Sequence, residues 1–66
     1  MVEYNMLEYL VTGQGYATND TNKQLILLHD TVFAHDANDA IIAFEEQFKS
    51  TYKILKVFSA TNLSLS

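Results

Sequence analysis

Val32-Phe-Ala-His-Asp-Ala-Asn-Asp-Ala-Ile-Ile-Ala-Phe-Glu-Glu-Gln-Phe48 begins as a strand and ends as an amphipathic helix, with acidic residues at the join. Stepping about 100° per residue from Ala37 puts Ala40, Ile41, Phe44 and Phe48 within about 60° of it, an apolar stripe suited to packing on a sheet. Asp36 takes the N-cap position and Asp39 falls in the first turn. There a carboxylate accepts backbone N–H groups that lack helical partners, and its charge complements the helix dipole. Capping accounts for both acids; a role in partner recognition is the second reading.

Working outward, residues 6–12 alternate in a β-branched and aromatic context, with Leu7, Tyr9 and Val11 on one face and Met6, Glu8 and Leu10 on the other. This is the first strand. Gly13-Gln-Gly15 interrupts it where a bulge or wide bend fits, and Asn19-Asp-Thr-Asn22 supplies the residues of a hairpin turn. Residues 23–34 form the second strand, setting Ile26, Leu28, Val32 and Ala34 against Leu25, Leu27 and Phe33, and a bend or bulge is expected near Asp30. Residues 52–59 form the third, with Leu55 and Val57 facing one way and Ile54 and Phe58 the other. The polar, aperiodic residues 61–66 read as a flexible tail, leaving one domain over residues 1–60.

The order strand, strand, helix, strand specifies a two-layer α+β fold, ββαβ, with a three-stranded antiparallel sheet and one helix on one face. Adding the last strand antiparallel to the first gives spatial order 2-1-3; a parallel placement beside strand two is the alternative. One helix covers one face, yet both faces carry large apolar residues. A chain of 66 residues buries only about 60% of the surface its unfolded form exposes, and without cysteine it has neither disulfides nor thiolate zinc to supplement the core. A homodimer packed through the open sheet face, using Leu25, Leu27, Phe33, Ile54 and Phe58, satisfies both demands.

Eight acids against four lysines, with no arginine, give a formal net charge of −4. A phosphate backbone would be repelled, so direct nucleic-acid binding is not expected. The N-terminus lacks a basic n-region and no apolar run approaches the roughly 20 residues of a membrane span, so a soluble intracellular protein is expected.

Chemical motifs are scarce. His29-Asp30 and His35-Asp36 lie six residues apart, and on one straight strand both imidazoles would share a side. Two histidines without a third ligand make a poor metal site. Glu45 and Glu46 are adjacent on a helix and point about 100° apart, so they cannot converge on one substrate atom. Gly13-Gln-Gly15 lacks the third glycine, following helix and lysine of a phosphate cradle. No catalytic, metal or cofactor residues are assigned, and a non-enzymatic protein is expected. Two features stand apart. Ile42 lies about 140° from the stripe's centre among Asn38, Glu45 and Glu46, and Tyr4, Tyr9, Tyr16 and Tyr52 supply amphipathic rings of the kind enriched at interfaces.

The strand at residues 7–12, the turn at 19–22, the Asp36-capped helix with Ala40-Ile41-Ile42 and the closing strand at 52–58 resemble one group. These are small, acidic, cysteine-free phage proteins of strand-strand-helix-strand order, among them phage-encoded inhibitors of uracil-DNA glycosylase. The resemblance implies a homodimer in the cytoplasm of a bacterial host. It would offer a host DNA-processing enzyme an acidic surface where DNA phosphates lie, beside an apolar pocket for the enzyme's DNA-wedging side chain. On that resemblance Asp36, Asp39, Glu45 and Glu46 stand in for phosphates and Ile42 contributes to the apolar wall, with Phe33 and Phe44 the aromatic candidates nearest the helix start. The alternative is an accessory homo-oligomer whose apolar faces serve only self-assembly.

Overall fold

The computed structural model describes residues 6–64, in the order β1 (Leu7–Ala17), β2 (Ile26–Ala34), α1 (Ala37–Phe48) and β3 (Tyr52–Asn62). The sheet is antiparallel throughout, with spatial order β2-β1-β3 and α1 on one face. The fold is therefore the two-layer ββαβ arrangement, and the parallel alternative is not adopted.

β1 holds the centre because it alternates most cleanly: Tyr9 and Val11 are buried beneath the helix, while Leu10, Thr12, Gln14 and Tyr16 alternate to the other face. Leu28, Val32 and Ala34 of β2 join them, and Ala40 and Phe44 of α1 close the core from above. Ile41, Ala43 and Phe48 flank this centre, half-buried. An edge-to-face ladder of Phe44 on Phe48 (5.0 Å, 71°) and Phe48 on Tyr52 (5.7 Å, 77°) carries the packing from the helix onto β3.

Gly13-Gln-Gly15 does not interrupt β1, which runs straight through it; the expected irregularity lies in the neighbouring strand. Thr12 opposes Ser59 but Gly13 opposes Val57, and Gln14 opposes Lys56 but Gly15 opposes Ile54, so Phe58 and Leu55 are the extra residues of two bulges in β3. The bulges push the Lys56 and Lys53 carbonyls toward the two glycines. A Cβ on Gly13 would lie 2.7 Å from the Lys56 oxygen and 3.3 Å from the Phe44 ring, and one on Gly15 would collide with the Lys53 carbonyl. Here glycine is required by close approach.

The bulges also correct the faces of β3. Strict alternation pairs Leu55 with Val57 and Ile54 with Phe58. In the structure Ile54 and Val57 pack together against the core, while Leu55 and Phe58 are both exposed. Ile54, expected at a dimer interface, therefore belongs to the covered face. Nor does the chain fray after Ser59. Thr61 and Asn62 pair with Leu10 and Tyr9, the Leu63 N–H donates to the Glu8 carbonyl (2.7 Å), and the Glu8 N–H donates to Ser64 Oγ (3.0 Å), so the expected tail is tied to β1 as far as Ser64. Residues 65 and 66 lie outside the described residues.

β2 begins at Ile26, not at residue 23, because the Asp20 carboxylate accepts the Asn22 and Gln24 N–H groups (2.9 and 3.1 Å) and Lys23 is left-handed, at φ 52°. Leu25 accordingly sits in the connection rather than in the strand. The register of β2 on β1 runs unbroken from Leu7 opposite Ala34 to Gly15 opposite Ile26, without the bulge expected near Asp30.

Candidate partner-binding surfaces

Two surfaces are presented: the outer face of α1 and the uncovered face of the sheet. α1 starts where its sequence predicts. Asp36 is extended (φ −154°, ψ 177°), and its Oδ1 accepts the Asp39 N–H at 2.8 Å. This cap sets where the helix begins, and the buried Ala40 and Phe44 set which residues are left on its outer face.

Asp39, Ile42 and Glu46 follow one another along the side opposite the buried Ala40 and Phe44. Ile42 is 50% exposed between two exposed acids. The other two expected contact residues stand apart from this row. Asp36 has one carboxylate oxygen committed to the cap. Glu45 leans to the β3 flank, where it lines an open cleft of about 350 Å³ with Thr18, Lys49, Tyr52, Lys53 and Ile54. Lys49 pairs with Glu46 at 2.7 Å, an exposed i,i+3 pair that weakens the negative field at the C-terminal end of the row. Asp39 and Ile42 thus form its less neutralised part.

On the β2 flank, Gln47 Nε2 donates to Asp30 Oδ2 while Asp30 Oδ1 accepts the Thr31 N–H at 2.9 Å. Sequence reading missed this role for Asp30. The signal was present, since a carboxylate at an even position of β2 shares the face of Leu28 and Val32 and must find donors on the helix.

The uncovered sheet face carries Leu27 and Phe33 from β2, each 64% exposed, and Leu55 (53%) and Phe58 (48%) from β3. Leu10 lies half-buried between the two edges. Thr12 and Ser59 hydroxyls meet at 2.7 Å near the middle, and Lys56 Nζ lies 5.5 Å above the Phe58 ring. Three of the five residues expected at a dimer interface, Leu27, Phe33 and Phe58, are on this face. Of the two aromatics nearest the helix start, Phe33 is exposed here and Phe44 is fully buried, which removes Phe44 as a contact residue.

His29 lies opposite Thr12 within β2, and His35 stands in the two-residue connection to α1, so they do not share one straight strand. Among the described residues no group of three or more His, Cys, Asp or Glu is placed to hold a metal ion, and no helix is long and apolar enough to cross a membrane.

The fold and these surfaces define a small two-layer α+β protein with one acidic helix face and one open apolar sheet face. Comparison with protein-family models, curated proteins and solved structures found no match.

Proposed function

We propose that this chain is a non-enzymatic, protein-binding inhibitor that occupies the DNA groove of a DNA-processing enzyme, such as a uracil-DNA glycosylase, through the outer face of α1. The observation that carries the reading is the half-exposed Ile42 set between Asp39 and Glu46 on the outer face of a capped helix. Carboxylates spaced along a helix offer negative charge where a basic groove expects phosphate, and the isoleucine offers an apolar contact where the enzyme would press a side chain into the duplex. The net charge of −4 supports attraction to such a groove. Asp39, Ile42 and Glu46 make the central contacts, Glu45 a flanking one, and Asp36 chiefly holds the helix.

The test is titration into a uracil-excision assay in bacterial extract, beside the variant Asp39→Lys with Glu46→Lys. Inhibition by the native chain that the two lysines abolish supports the proposal. Absence of inhibition at every ratio excludes the glycosylase as the target, and inhibition indifferent to the lysines excludes charge mimicry. A second reading, an accessory protein that only self-assembles, is favoured by the open sheet face and predicts that immobilised protein retains no DNA-processing enzyme from the extract.

A further inference from the structure

We infer that the open sheet face is occupied by a second copy of this chain, packed face to face with its strands antiparallel, to give a four-layer αββα dimer. The inference fixes the packing mode of the homodimer expected from the sequence, and it does not depend on the inhibitor reading. The accessible surface of the single chain is 4770 Å², against about 4,250 Å² for a monomeric protein of this mass. The sheet face spans three strands of some nine residues, about 14 by 30 Å or roughly 400 Å² in projection before side-chain relief is counted. Specific association begins near 500 Å² a side, so the relief of the exposed Leu27, Phe33, Leu55 and Phe58 has to supply the last ~100 Å².

The arrangement of side chains identifies the occupant. Along the strands, Phe33, Glu8 and Leu63 lie across one end of the face, where Glu8 opposes Phe33 in β2 and its carbonyl accepts from Leu63. Leu27, Gln14 and Lys56 lie across it six register pairs further on, with Leu55 bulging beside Lys56. The face is therefore acidic toward one end and basic toward the other, with apolar side chains at both. A two-fold axis in the plane of the sheet and perpendicular to the strands lays one end over the other. Phe33 then meets the partner's Leu27, Leu63 meets the partner's Leu55, and Glu8 comes beside the partner's Lys56, each contact occurring twice. A two-fold parallel to the strands would stack Glu8 on Glu8, so charge selects the antiparallel mode. In the resulting sandwich the two α1 helices face outward on opposite sides, so each dimer offers two independent helix faces.

Sedimentation equilibrium on the whole chain from 1 to 200 µM tests this. A dimer is expected, and Leu27→Asp, at a side chain already largely in water, should yield a folded monomer as judged by circular dichroism. Glu8→Lys or Lys56→Glu alone should each weaken the dimer about tenfold, because symmetry makes a modest charge effect act twice, and the double exchange should restore it. Ile42→Lys, on the outer helix face, should leave it unchanged. A chain that stays monomeric to 200 µM overturns the inference. So does a dimer lost with Ile42→Lys but kept with Leu27→Asp. Failure of the double exchange to restore the singly weakened dimer overturns the antiparallel mode. Because no enzyme is present, the result is separate from the outcome of the inhibition assay.

Discussion

A methyl group at Gly15 would collide with the Lys53 carbonyl, a backbone group held by the β3 bulge, whereas the same group at Gly13 meets the Lys56 carbonyl and the Phe44 ring. Neither backbone oxygen has room to retreat without disturbing the bulge. Gly15→Ala is therefore expected to cost about 1 to 3 kcal/mol in urea denaturation. Phe44, fully buried, joins β1, α1 and the aromatic ladder, and its truncation to alanine should cost about 3 to 5 kcal/mol. That is comparable to all the stability a chain this small possesses, so Phe44→Ala should be unfolded by circular dichroism at 25 °C. Asp36→Ala removes only the cap and should cost about 0.5 to 2 kcal/mol. If its effect on partner affinity exceeds this, the residue also contacts the partner.

At the level of the strands, the backbone groups of β1 are divided between its two neighbours. Leu63 N–H bonds the Glu8 carbonyl, so even residues of β1 turn their backbone groups toward β3 and odd ones toward β2. It follows that Ile26, Leu28, Asp30, Val32 and Ala34 bond β1, while Leu27, His29, Thr31 and Phe33 turn theirs to the free edge. Hydrogen exchange should accordingly be fast at Leu27, His29 and Phe33 and slower at their even neighbours. Thr31 should be the protected exception, because the Asp30 carboxylate takes its N–H. Asp30→Ala should remove that protection and, by baring the middle of the edge, raise the tendency to aggregate. The other edge needs no such guard: β3 is broken by two bulges and carries Lys53 and Lys56. On α1, reversing Asp39 and Glu46 should lower the association rate with a basic partner and flatten its salt dependence, measurable by stopped flow.

For the whole molecule, the radius of gyration is 13.3 Å, where a compact domain of this length has about 11 Å. A 12-residue helix spans about 18 Å, half the roughly 36 Å of the 11-residue β1 beneath it, so the single helix leaves the sheet incompletely covered even on its own side. Folding and association should then be linked. The midpoint of thermal unfolding should rise with protein concentration, and Leu27→Asp should abolish that dependence.

The features legible in the residues alone are local ones. The order of elements, the Asp36 cap, the stripe of Ala40, Phe44 and Phe48, the Asp20 turn and the inward set of β2 all follow from periodicity and from hydrogen bonds that close within a few residues. The exposure of Ile42 follows from helical geometry alone, whereas the central position of β1 was decided by the structure, which sets β3 antiparallel beside β1 and not parallel beside β2. The faces of β3 depend on its neighbour, because its bulges arise where β1 has glycine, and each extra residue turns Leu55 or Phe58 to the open side while keeping Ile54 and Val57 on the core. The fold also decided where β3 ends, since Leu63 and Ser64 are held by Glu8, a residue more than fifty positions away. The division of the acids was settled there too: Glu45 to the cleft, Asp36 to the cap, and Asp39 and Glu46 to the outer row. A strand's period is encoded in its own residues, but its register and breaks are set by the strand beside it, which a linear reading does not contain.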